Sequence, residues 1–213
     1  MPKNLPIGVD SFRELVNEDN NYLFVDKTLM IKSLIEDAAK VSLICRPRRW
    51  GKTLNLSMLQ HFFSKTVNGE STTELFHSLK IESLDRGKYM SEQGKYPVIF
   101  VSFKDLKEPN FDSAIKNTRL LICELYREHE YLLNSNSISE SEKEDIKKYL
   151  YKKSSKEELE VSLKFLSSLL KKHYGKQVYI LIDEYDTPMT KAYLDGYEAE
   201  MGDFMKNLLS NGL

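Results

Sequence analysis

The stretch Arg46-Pro47-Arg48-Arg49-Trp50-Gly51-Lys52-Thr53 carries the residue types needed to hold a chain of phosphates. Backbone N–H groups of such a loop, and of a helix that follows it, point at phosphate oxygens. Gly51 lets the backbone approach closely because it has no Cβ. Lys52 supplies a point charge to the β- and γ-phosphates of a nucleoside triphosphate. The hydroxyl of Thr53 is placed to ligate Mg²⁺, and Leu54 carries the chain into the helix. The strict phosphate-loop pattern has glycine at both ends, and here Arg46 stands where the first glycine would be. A bare Gly-Lys-Thr string is weak, so its context must carry the argument.

A second group of residues completes the chemistry. Tyr179-Ile180-Leu181-Ile182 is followed by Asp183-Glu184. An apolar run ending in two acids is the Walker B arrangement, which delivers a carboxylate to the edge of a sheet where ligands of open α/β folds bind. Asp183 would hold Mg²⁺, directly or through water. Glu184 would be the general base that polarises an attacking water. A carboxylate beside a divalent cation stays ionised because the cation favours the charged form.

Three short apolar runs must position these groups: Val41 to Cys45, Val98 to Phe103 and Val178 to Ile182. Continuous apolar character without alternation predicts strands buried on both faces, as in a parallel sheet. Between them lie helical patterns. Ile31, Leu34, Ile35 and Ala38 share one face, as do Leu54, Met58, Leu59, Phe62 and Phe63. Asp112 to Tyr126 reads as a helix, and so does Glu157 to His173, with Ser155 and Glu158 as a capping box at its start. Alternating strands and helices predict an α/β domain with a parallel sheet flanked by helices. The region 134–156, dense in Ser, Glu and Lys, reads as a charged loop or an exposed helix.

The chain has 213 residues, 41% hydrophobic and 30% charged, with net charge −1 and a pI near 6.5. Such a balance gives no global field toward nucleic acid or an anionic membrane. Cys45 and Cys123 are far apart, which argues against a disulfide framework or structural zinc, and both are expected in apolar surroundings. No secretory signal and no apolar run long enough to span a membrane is visible, so the expected compartment is the cytoplasm. His61, His77, His129 and His173 show no metal spacing.

With these residues in view, the chain resembles the bacterial predicted AAA-ATPase-like family, relatives of archaeal-type ATPases that often carry a C-terminal PD-(D/E)xK nuclease-like domain. The resemblance runs from about Leu5 to Leu209. It rests on Leu5-Pro6-Ile7-Gly8 and Phe12, on Phe24-Val25-Asp26-Lys27-Thr28, and on Arg46 to Thr53. It continues in Leu56-Ser57-Met58-Leu59, Phe62-Phe63, and Leu181-Ile182-Asp183-Glu184-Tyr185-Asp186-Thr187-Pro188. In that family arginine is usual at the position of Arg46, and phenylalanine at that of Trp50. The resemblance implies an AAA-like P-loop domain over residues 1–213 that binds ATP with Mg²⁺ and hydrolyses it. It admits a homo-oligomer and a protein partner whose identity the sequence does not give. Family members continue past residue 213 with another strand, a sensor residue and a helical lid, so the expectation is a C-terminally truncated domain.

Other residues have two readings. Arg48 and Arg49 could bind phosphate bidentately or stay solvated at the surface. Asp26 or Thr28 reads as the cap of the next helix, and Tyr22 and Phe24 as core more than as an adenine platform. Trp50 could shield the phosphates or pack under the loop. Asp186 reads as a cap before a helix opened by Thr187-Pro188. Two alternatives to hydrolysis remain at the level of sequence: a switch that binds nucleotide without turning it over, and a truncated remnant that does not hydrolyse.

Overall fold

Helices dominate, with a few short strands among them, along the described residues, 2–37, 39–45, 47 and 50–210, of this computed structural model. The chain divides into two units, Met1–Val98 and Ile99–Leu213.

The first unit contains helices α1 (Phe12–Val16), α2 (Leu29–Glu36), α3 (Lys52–Phe63) and α4 (Lys80–Ser83), with a hairpin of β1 (Thr66–Val67) and β2 (Glu70–Ser71). Met58, Leu59, Phe62 and Phe63 bury one face of α3. Phe76 stacks on Phe12 at 5.0 Å between ring centroids and meets Phe62 edge-on at 5.1 Å. Such offset and edge-to-face pairs suit the ring quadrupoles. The Phe12 N–H donates to Ser57 Oγ at 2.9 Å, which ties α1 to α3. The hairpin turns on Asn68 and Gly69, both at positive φ (51° and 78°), as a two-residue turn of the type I′ kind requires. Arg13 holds it from outside, with Nε 3.0 Å from Glu70 Oε2 and Nη2 donating to the Ser71 carbonyl at 2.7 Å.

Asp26 and Thr28 do not cap the helix that follows them. Thr28 stands at the N-cap of α2 but makes no side-chain cap bond there. Its hydroxyl donates to Asp26 Oδ1 at 2.7 Å and accepts from the Ile81 N–H at 3.2 Å. Asp26 Oδ2 accepts from the Lys80 N–H at 2.7 Å. The pair therefore satisfies the open N–H groups at the start of α4, a partner far off in sequence.

The second unit contains α5 (Phe111–Glu128), α6 (Glu140–Leu150), α7 (Lys156–Glu160), α8 (Ser162–Tyr174), β4 (Tyr179–Asp183), α9 (Thr187–Asp195) and α10 (Glu198–Ser210). Strand β3 (Val98–Ser102) leads into it and pairs with β4 in a two-stranded parallel sheet. Ile99, Val101 and Phe103 are buried with Ile122, Leu166, Leu170 and Phe204 in its core. Both strands match the apolar runs seen in the sequence, and the mixed order of helix and parallel sheet is that of an α/β protein. The Ser155–Glu158 capping box is formed, and α6 begins with another at Ser139 and Glu142. One face of α6 is buried through Ile146, Tyr149 and Leu150.

Three further expectations about the fold fail. Val41 to Cys45 is not a strand: Val41 and Leu43 are 54% and 67% exposed and Cys45 is exposed too. A run of this length gains strand structure from a paired neighbour, and among the described residues none is hydrogen-bonded to it in a sheet. The single helix expected over 157–173 is broken at Val161 (φ −107°, ψ 2°). There Ser162 Oγ donates to the Leu159 carbonyl at 2.7 Å, and the buried Tyr126 hydroxyl takes the Ser162 carbonyl at 2.9 Å. Finally, Cys45 and Cys123 differ: Cys123 is buried, with Sγ 3.2 Å from the Leu150 carbonyl, whereas Cys45 is exposed. Ala38 lies outside the described residues. Among the described residues, no helix is long and apolar enough to cross a membrane.

Burial alone would raise the Asp26 carboxyl, but the Lys80 N–H, the Thr28 hydroxyl and the Thr28 N–H together hold it below its ordinary 3.8. Its contribution to stability is therefore present at neutral pH and is lost as pH falls through the lowered value. Asp26→Ala should cost ~1–2 kcal/mol at pH 7, read by denaturant unfolding, with the difference from wild type shrinking below pH 3.8.

His129 in the second unit also loses stability in acid, but for a different reason. Its Nε2 is buried without a hydrogen-bond partner among the described residues, and burial pushes the imidazole down from 6.5 to about 4. Protons then bind the unfolded chain first, so stability is full above pH 6.5 and falls toward pH 4. His129→Gln should flatten the melting-temperature profile across that window.

Candidate functional site

In the first unit, the expected phosphate loop leads into α3. Its buried aromatic face fixes the helix, and Gly51 stands at its N-cap in the left-handed region (φ 74°, ψ 32°). A side chain at this position would be strained, which is why a glycine opens the helix. The Gly51 carbonyl accepts from the Asn55 N–H at 2.9 Å, so the helix begins directly at Lys52. No side chain caps α3, and its first turn contains no acidic residue. Such a helix N-terminus carries positive partial charge.

Lys52, Thr53 and Leu54 form this first turn and are half-buried. Pro47 is exposed, and Trp50 is 61% exposed, so its ring is not packed under the loop. Arg46, Arg48 and Arg49 lie outside the described residues. Phe24 meets Phe12 edge-on at 6.2 Å, in the core role expected of it. Tyr22 instead bridges backbone to Asn4 at the surface.

One residue at this end was not singled out by the sequence as a site residue. Lys27 Nζ lies 3.8 Å from where a Cβ on Gly51 would stand. The residue is part of Phe24-Val25-Asp26-Lys27-Thr28, whose capping pattern drew attention to its neighbours. Nothing in the spacing of 27 and 51 reveals that they meet.

In the second unit, the expected acidic pair lies at the end of β4. Asp183 is its last residue and is 3% exposed. Its carbonyl accepts from the Phe103 N–H at 3.1 Å, so the sheet ladder holds the backbone up to this point. Glu184 then turns out of the sheet with φ 48°, left-handed for a residue with a side chain. That conformation costs ~1–2 kcal/mol, and strain of this kind clusters at functional sites. The Glu184 side chain is exposed, and Oε2 accepts from the Thr187 hydroxyl at 3.1 Å. Its carbonyl accepts from the Thr187 N–H at 3.0 Å. The opening of α9 is thus organised by Glu184, while the Asp186 side chain, expected to cap it, makes no cap bond. Thr187-Pro188 does open that helix, as the sequence indicates.

The loop residues belong to the first unit, and Asp183 and Glu184 to the second. Among the described residues, no group of three or more His, Cys, Asp or Glu side chains could cage a metal ion. Thr53 in the first unit and Asp183 in the second each carry an oxygen of the hard type that Mg²⁺ takes.

Comparison with known proteins adds the family. The chain matches the family model described as predicted AAA-ATPase over residues 6–213. It is 35% identical over 101 residues to a protein of Azotobacter chroococcum mcd 1, described as an uncharacterized protein in the vnfD 5' region. That match covers 47% of this chain and 17% of the relative. No solved structure matches the chain. The chain belongs to the predicted AAA-ATPase family.

Proposed function

We propose that this chain binds ATP with Mg²⁺ through residues 46–54 and hydrolyses it to ADP and phosphate. The observation that carries the reading is Gly51. It sits in left-handed backbone immediately before Lys52-Thr53, at the start of a helix with no capping side chain and no acid in its first turn. Such a turn presents consecutive N–H groups to an anion.

In this reading Lys52 neutralises the β- and γ-phosphates, and Arg46, Pro47, Arg48, Arg49, Trp50 and Leu54 complete the loop. The Thr53 hydroxyl and the Asp183 carboxylate would hold Mg²⁺. When bound, the ion neutralises charge developing on the β- and γ-oxygens. Glu184 accepts the proton of the attacking water. The water oxygen bonds to the γ-phosphorus, and the bond to the β–γ bridging oxygen breaks, releasing ADP. The left-handed turn at Glu184 supports this role, because it brings an exposed carboxylate out directly after a buried one.

Two measurements test the proposal. A ligand that binds only the folded state raises apparent stability, by ~2.7 kcal/mol at a hundred times its dissociation constant. Mg·ATP should raise the melting temperature of the chain, and Lys52→Ala should remove the rise. No rise in a folded wild-type sample at millimolar ATP would refute the binding site. Glu184→Gln separates hydrolysis from a nucleotide-dependent switch: ATP binding should persist while phosphate release stops. Turnover at the wild-type rate in that variant would remove Glu184 as the base.

A further inference from the structure

Positive charge collects at the start of α3 beyond what the loop motif supplies. The helix N-terminus carries about half a positive charge, with no capping side chain and no acid in the first turn to offset it. Lys52 is the first residue of the helix. Lys27, from a segment twenty-four positions earlier, adds its ammonium beside Gly51, 3.8 Å from the Cβ position.

Lys27 has no such need for structural reasons. It is exposed and could extend into water, and among the described residues no carboxylate lies within ion-pairing distance of it. Its neighbours, by contrast, are locked. Asp26 and Thr28 are both bonded to the start of α4, so the backbone that carries Lys27 is fixed on either side. An ammonium beside Gly51, at the positive end of a helix, is unfavourable until an anion joins it there.

We propose that Lys27 is a second phosphate-binding cation of this site, joining Lys52 on the phosphate chain of ATP. The inference rests on the reading of residues 46–54 as an ATP site. In this arrangement the Asp26–Thr28 clamp on α4 is a positioning device for Lys27. It also gives the segment Phe24 to Thr28 a role that capping of its own helix does not.

The test uses the full chain as wild type, Lys27→Gln, Lys27→Arg and Lys52→Ala. Each is titrated with Mg·ATP and with inorganic tripolyphosphate, following the melting temperature, after the ligand-free melt has shown a folded protein. Lys27→Gln should weaken both ligands by the same factor, roughly tenfold or more, as expected for loss of one charge-assisted bond. Its affinity should also fall less steeply with added salt than that of wild type. Lys27→Arg should keep most of the affinity. Wild-type affinity in Lys27→Gln, with binding lost in Lys52→Ala, would overturn the role of Lys27 and leave the ATP site standing. Equal losses in Lys27→Gln and Lys27→Arg would also overturn it, by making the lysine a support of the loop. If Lys27→Gln does not fold, Lys27→Arg decides: retained affinity supports the proposal and lost affinity overturns it. A wild-type chain that binds neither ligand would remove the ATP site itself.

Discussion

Burial of Met58, Leu59, Phe62 and Phe63 on one face of α3 fixes that helix against Phe12 and Phe76, and with it the position of its N-terminus. Side chains of this size contribute ~1.5–3 kcal/mol each when removed from water. The helix end is therefore anchored by interactions made two or three turns away. Its own first turn is left free to carry glycine, lysine and threonine without paying for structure locally. The chemistry proposed for the loop depends on this separation of the groups that hold the helix from the groups that would meet phosphate.

The same division appears at the end of β4. The β3–β4 ladder and the apolar side chains of β4 hold Asp183 where the sheet ends. Glu184 then adopts a backbone conformation that its side chain disfavours, and its carbonyl and carboxylate start α9 through Thr187. A residue with both duties constrains substitution. Glutamine keeps the hydrogen-bond acceptor for Thr187 while removing the carboxylate proposed as the base, whereas alanine would disturb the helix start as well.

What the sequence made legible follows from where the signal is local. Apolar runs at Val98 and Val178, the amphipathic face of α3 and the Ser155–Glu158 box are local patterns, and each appears in the structure close to its expected place. The failures involve partners distant in the chain. Val41 to Cys45 has the composition of a buried strand, but strand structure needs a neighbour, and no local pattern supplies one. Asp26 and Thr28 look like a cap for α2 because α2 is next, yet they bond to α4. Lys27 lies beside Gly51 for the same non-local reason. At the break after Val161 the Ser162 carbonyl accepts from Tyr126, again remote in sequence. The Asn68-Gly69 hairpin is the reverse case: a local signal of a two-residue turn that was legible and went unread. For the candidate site, residue types were readable, and the cation beside the loop was not.

Trp50 is the chain's one tryptophan, and it is exposed in the loop proposed to hold phosphate. Its fluorescence therefore reports on that loop with no background from other indoles. The most direct test of the account is a titration of the folded chain with Mg·ATP, following Trp50 emission and its quenching by acrylamide. The account predicts a saturable change in emission with reduced quenching, absent in Lys52→Ala. Emission and quenching that stay unchanged up to millimolar Mg·ATP would contradict the assignment of this loop as the phosphate site.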